Sequence, residues 1–120
     1  MANVLKSITY SGNTNYANAY TYDTVYTVPT GTTSIIIGFA IANLKTDIVT
    51  ISTQVFDSDL TQNVHFIKDV TIAAGSTLEV MGGNKIILNA NDVIKMSADA
   101  SNSFDVMLSL VEQTWVKHTT

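Results

Sequence analysis

Apolar residues recur at every second position along much of this chain. Residues 21–28 place Tyr22, Thr24, Tyr26 and Val28 on one face and Thr21, Asp23, Val25 and Thr27 on the other. A two-residue period marks an extended strand, whose side chains alternate between two faces. Residues 48–57 repeat it, with Val49, Ile51, Thr53 and Val55 opposite Ile48, Thr50, Ser52, Gln54 and Phe56. Residues 103–112 repeat it again, with Phe104, Val106, Leu108 and Leu110 predicted inward. The stretch 32–44, TTSIIIGFAIANL, differs in being apolar on both faces. Simple alternation assigns Ile35, Ile37, Phe39 and Ile41 to the core, and Ile36, Gly38, Ala40 and Ala42 to a second, flatter face. Such a strand has to be covered on both sides. No stretch of ten residues sustains the 3.6-residue period of an amphipathic helix.

Turn chemistry divides the strands. Pro29 presets φ for a turn that Gly31 completes with positive φ, and Ala73-Ala74-Gly75 repeats that form. Residues 45–47 and 58–62 are polar loops, Gly82-Gly83 reads as a compact hairpin, and Ala90-Asn91 separates strands at 85–89 and 92–98. Residues 63–72 carry Val64, Phe66, Val70 and Ile72 on one face, interrupted at Lys68, with His65, Ile67, Asp69 and Thr71 opposite. Residues 76–81 point Leu78 and Val80 inward. About seven or eight antiparallel strands follow. They predict an all-β fold, a single β-sandwich of the jelly-roll or immunoglobulin-like Greek-key kind. The paired cysteines and core tryptophan of immunoglobulin domains are missing.

Residues 1–20 read as an N-terminal extended arm, 21–113 as the sandwich and 114–120 as a C-terminal tail. The arm offers Val4, Leu5 and Ile8 as apolar anchors, together with Tyr10, Tyr16 and Tyr20. Tyrosine brings large contact area with a polar tip. Contacts to a subunit or partner are therefore expected on those six residues, on the small face of Gly38, Ala40 and Ala42, and at Trp115 in the tail.

Composition narrows the function. Charged residues make up 13% of the chain against a hydrophobic share of 46%, a balance that suits a surface covered by partners. All six basic residues are lysines and the net charge is −4, so a nucleic-acid partner has no electrostatic footprint. The start MANVLKSITY lacks the apolar core of a signal peptide, and the longest apolar run is too short to cross a bilayer. No membrane partner is expected. The absence of cysteine removes disulfides and thiolate metal sites.

Candidate chemistry is sparse. His65 and His118 are the only histidines, too few for a zinc site. Asp57-Ser58-Asp59 lacks the later ligands of a calcium loop and reads as a turn former. Asp99 and Asp105 flank a turn, but with two glutamates in the whole chain an acid–base pair has few candidates. No phosphate loop, nucleophile elbow or dinucleotide fingerprint is present. The expectation is a non-enzyme without cofactor or metal. A glycan-binding module, stacking sugars on Tyr16, Tyr20, Tyr22, Tyr26 or Trp115, is a further reading.

The series VPTGTTSIIIGFAIANL, VTISTQVFD, FIKDVTIAAGSTLEV, KIILNANDVIKMSA and SFDVMLSLVE, over residues 25–112, resembles small virion structural proteins of tailed bacteriophages, especially those of marine and cyanobacterial hosts. Their usual form has a VPAGTTS opening, an IPAGSSLE turn, an L-x-AGD hairpin and a closing S-x-DV strand. This chain departs from it with Ala73 at the second proline and Asn91 at the glycine before Asp92. The resemblance implies a β-sandwich that coats or joins parts of a virion. A small, acidic, single-domain chain with an N-terminal arm makes a capsid decoration (cement) protein, made in the host cytoplasm, the leading expectation. It would sit on the virion surface, bind the major capsid protein, and form a homo-oligomer, with a trimer favoured. A tail, neck or baseplate part is the alternative within the same group.

Overall fold

The computed structural model describes residues 2–11, 22–100 and 103–114. It holds nine strands: β1 (Ala2–Ser11), β2 (Asp23–Thr27), β3 (Thr32–Asn43), β4 (Val49–Asp57), β5 (Gln62–Ile72), β6 (Thr77–Glu79), β7 (Ile86–Leu88), β8 (Val93–Ala98) and β9 (Phe104–Thr114). They form two antiparallel sheets. The first runs β1-β9-β3-β6, with β7 also paired to β3, and the second runs β2-β8-β4-β5. Successive strands alternate between the sheets from β1 to β4, and β8 and β9 return to the centres of the two sheets. Two interlocked Greek keys with this order make a jelly roll.

The inner faces meet in one core. Phe39 and Ile41 of β3, Ile51 of β4, Ile94 and Met96 of β8, and Phe104, Leu108 and Leu110 of β9 are fully buried there. The β9 alternation reads directly from the sequence, because β9 pairs in unbroken register with β1.

Four places depart from simple alternation. In β3, Ile36 lies opposite Leu110 and Gly38 opposite Ser109, so Ile37 is the extra residue of a β-bulge. The bulge puts Ile36 in the core at 1% exposure and turns Ile37 out at 43%, which reverses the expected faces of residues 35–37. In β5, register breaks opposite residues 51–54 bring Phe66 and Ile67 both against the core, with Phe66 edge-on to Phe39 at 6.0 Å. Ile67 therefore leaves the polar face expected for it. In β2, a break between Thr24 and Tyr26 buries both Val25 and Tyr26.

The fourth departure is Gly82-Gly83, which does not reverse the chain. β6 and β7 lie antiparallel to the same strand, at residues 40–42 and 34–36 of β3. They are two halves of one strand position, so nine segments fill the eight positions of the jelly roll. Val80 N still donates to Phe39 O and Met81 is buried in the core, and residues 82–85 bridge to β7 with both glycines at positive φ.

The expected arm is also different in its first half. Residues 2–11 are β1, an edge strand paired over its whole length with β9. Gly31 and Gly75 take the positive φ that their turns require, and Asn91, in the place of a glycine, takes φ +70°.

Candidate functional site

Each end of the sandwich is tied by one polar side chain. Asp92, buried at the start of β8, accepts hydrogen bonds from Ser58 N at 2.9 Å, Ser58 Oγ at 3.0 Å and Asn89 N at 2.9 Å. It thereby joins the β4–β5 and β7–β8 loops, and its backbone carbonyl takes Val28 N of the β2–β3 loop. At the other end Asn43 Nδ2 donates to the carbonyls of Asp47, Ile72 and Ala73, while its Oδ1 accepts from Lys45 N. These groups are used up in holding loops.

Between the sheets lies a buried acidic group. Glu112 of β9 accepts from Tyr26 OH of β2 at 2.5 Å and pairs with Lys6 Nζ of β1 at 3.0 Å. Tyr26 spends its proton on Glu112, so Ser34 Oγ, 2.6 Å away, donates to the phenolic oxygen. Burial pushes the Glu112 carboxyl up, but the hydrogen bonds from Tyr26 and Lys6 and the Lys6 charge outweigh it and hold the group below its ordinary range. Burial, then the neighbouring carboxylate, pushes the Tyr26 phenol well above the usual tyrosine value. A second tie, Tyr10 OH to Asp23 Oδ2 at 2.5 Å, also crosses from β1 to β2. The two ties make a clamp between the sheets.

The outer faces differ sharply. On the second sheet, Thr50, Ser52 and Gln54 of β4 and Ser97 of β8 form a polar groove with Tyr22 and His65. His65 Nε2 stands 3.0 Å from both Tyr22 OH and Gln54 Nε2. Asp69 shares this groove: its backbone N donates to Ser52 Oγ at 2.9 Å, with φ +53° at the β5 bulge.

On the first sheet, one row of apolar side chains crosses all four strand positions. Leu5 of β1 pairs with Val111 of β9, Val111 with Ile35 of β3, and Ile35 with Ile87 of β7. Leu5 is 77% exposed and Ile87 67%. The row spans about 14 Å at the ordinary strand spacing. Beside it the face is flat: Gly38 lies against Ser109, and Ala40 and Ala42 line a shallow groove with Thr9, Thr77 and Met107.

The structure thus places the sequence candidates in three groups. Leu5, Gly38, Ala40 and Ala42 share the outer face of the first sheet. Val4, Ile8 and Tyr10 lie on the inward side of β1, where Ile8 and Tyr10 pack against the core and Val4 stays exposed at the sheet edge. Tyr16, Tyr20 and Trp115 lie outside the described residues, as does His118. Sequence alternation set Val111 on the outward face of its strand but missed Ile35 and Ile87 as surface groups, and Glu112, Asp92 and Asn43 as ties. The apolar row appears only once strand register is known.

The carboxylates weighed from sequence have local duties. Asp57 Oδ1 accepts from the backbone of Asp59 and Leu60, an Asx turn. Asp99 accepts from Thr50 N in the second sheet, and Asp105 from Ser11 Oγ in the first. Among the described residues no three His, Cys, Asp or Glu side chains are grouped to hold a metal ion. Among the same residues no helix is long and apolar enough to cross a membrane.

No protein-family profile and no curated protein matches the sequence. Among solved structures the chain is similar to a subunit of Bacillus endospore appendages, described as disulfide-linked pili, at 14% identity and TM-score 0.54 over 96% of this chain and 88% of that one. It is similar to a chain of the infectious bursal disease virus particle at 7% identity and TM-score 0.58, over 92% of this chain and 30% of that one. The fold is therefore one that virus particles and a bacterial pilus both use. Cysteine is absent from this sequence, unlike the disulfide-linked pili.

Proposed function

We propose that this chain is a non-enzymatic virion structural protein, specifically a capsid decoration protein that binds the outside of the major capsid shell and stabilises it. The observation that carries this reading is the contrast between the outer faces. One is polar, while the other bears the Leu5–Val111–Ile35–Ile87 row beside a flat strip of small residues. A flat strip of small residues beside an apolar row, with Asp105 and Glu79 as the carboxylates at its margin, suits docking on a broad protein surface. At roughly 25 cal/mol per Å2, a few hundred Å2 of such contact per copy is enough when many copies bind one shell. The net charge of −4 with no arginine favours the outside of the shell over contact with packaged nucleic acid. Self-association belongs to the same reading.

Particles assembled without the protein test it. They are expected to lose heat or salt resistance and to regain it when purified protein is added. Normal stability with no rebinding rules the reading out. Copy number separates shell from tail: hundreds per particle mean decoration, and a dozen or fewer mean a tail, neck or baseplate part.

A second reading rests on the groove of the second sheet. Tyr22 and His65, edge-on at 6.1 Å, stand beside the Gln54 amide, a combination suited to a sugar ring. A glycan array with a Tyr22→Ala control tests it, and a blank array removes it.

A further inference from the structure

A strand at a sheet edge presents unpaired backbone groups, and proteins usually blunt that edge with charges, bulges or brevity. Three of the four edges here are blunted. β5 has two register breaks, Lys68 and a positive φ at Asp69. β2 is five residues long with a break after Thr24. The β6/β7 position is cut into two three-residue pieces. β1 has none of these. It runs ten residues in unbroken register with β9, and no described strand lies on its other side. Its one charged residue, Lys6, is drawn to the buried carboxylate of Glu112 at 3.0 Å. The lysine that would guard this edge is held in that ion pair, with its side chain 45% exposed.

We infer that β1 pairs antiparallel with β1 of a second copy, about a two-fold axis through Leu5. The side-chain pattern selects the occupant and the register. Pairing across a two-fold axis perpendicular to the sheet must keep outer faces together, so odd-numbered residues of β1 meet odd-numbered ones. A pair centred on Lys6 sets like charges directly opposite, which destabilises a sheet. A pair centred on Ser7 sets Leu5 against Thr9 and breaks the apolar row. A pair centred on Leu5 covers the most exposed apolar side chain with its own copy. The two rows then join into one, crossing eight strand positions over about 34 Å. Such a two-fold contact is closed, pairs residues 2–8 of one β1 with residues 8–2 of the other, and stands in place of the trimer that the resemblance implies. It does not rest on the virion reading, although a doubled row would enlarge the surface offered to a shell.

The cysteine-free chain makes a clean test. Opposed Cα atoms in an antiparallel pair lie about 4.5–5.5 Å apart, within disulfide reach. Full-length Leu5→Cys, oxidised at tens of micromolar, is expected to run mostly as a covalent dimer on a non-reducing gel, and Ser7→Cys to remain monomeric there. Sedimentation of the unaltered protein is expected to give twice the 13.0 kDa chain mass. Leu5→Lys is expected to weaken the dimer at least tenfold while leaving the circular dichroism spectrum unchanged. A monomer throughout, a mass three times that of the chain, or crosslinking through Ser7→Cys instead of Leu5→Cys overturns the proposal.

Discussion

Tyr26 and Glu112 meet across the sandwich, with the phenol of β2 donating to the carboxylate of β9 at 2.5 Å. Both side chains are buried. A hydrogen bond to a buried charge is worth more than one between neutral groups, and its loss leaves the carboxylate short of a donor. Tyr26→Phe is expected to lower unfolding free energy by about 2 kcal/mol in urea titrations. Glu112→Gln tests the same contact from the other side and also releases Lys6 from its ion pair.

The same pair sets a pH dependence at both ends. Glu112 is held below its ordinary range in the fold, so its contribution is fully present above the unfolded value of about 4.3 and is lost as pH falls through the folded value. Tyr26 is held above its ordinary range, so its contribution is complete below about pH 10 and is lost as pH rises beyond that. Urea midpoints measured across pH are expected to fall at both limits. The acid limb should flatten in Glu112→Gln and the alkaline limb in Tyr26→Phe.

Thr53 Oγ1 is buried and has no hydrogen-bond partner among the described residues. Valine has nearly the same shape and no hydroxyl to desolvate. Thr53→Val is expected to stabilise the fold by about 1 kcal/mol. A melting temperature equal to or below that of the unaltered protein would show that the hydroxyl is satisfied.

The bulge in β3 separates two adjacent isoleucines. Ile36→Ala empties a fully packed site and is expected to cost about 3 kcal/mol. Ile37→Ala, on the solvent side of the bulge, is expected to cost less than about 1 kcal/mol. Equal costs for the two would contradict the bulge.

Asp92 ties two loops through three hydrogen bonds. Asp92→Ala is expected to cost about 3 kcal/mol and to raise amide exchange first at Ser58 and Asn89.

These residues also show what the sequence could carry. The inward set of β9 was legible because no irregularity interrupts its alternation. The turns at Gly31 and Gly75 were legible because only certain residues take positive φ. The faces of residues 35–37 were not, since a bulge inside the run IIIGF adds one apolar residue among others and leaves no polar marker. Gly82-Gly83 misled for a related reason: positive φ permits a reversal but does not compel one. The outer apolar row depended on register between strands far apart in the chain, and β1 looked like an arm because its apolar positions are few and its partner is β9.

That partnership has a consequence for how the protein is made. β1 and β3 are not hydrogen-bonded to each other; β9 lies between them. Until residues 104–114 have left the ribosome, the first sheet lacks its central member, and the inner side chains of β3 have no neighbour on that flank. Folding must await the late-synthesised part of the chain, and its contacts join distant segments, which slows it. The long-exposed β1 and β3 are then the segments most in need of chaperone protection.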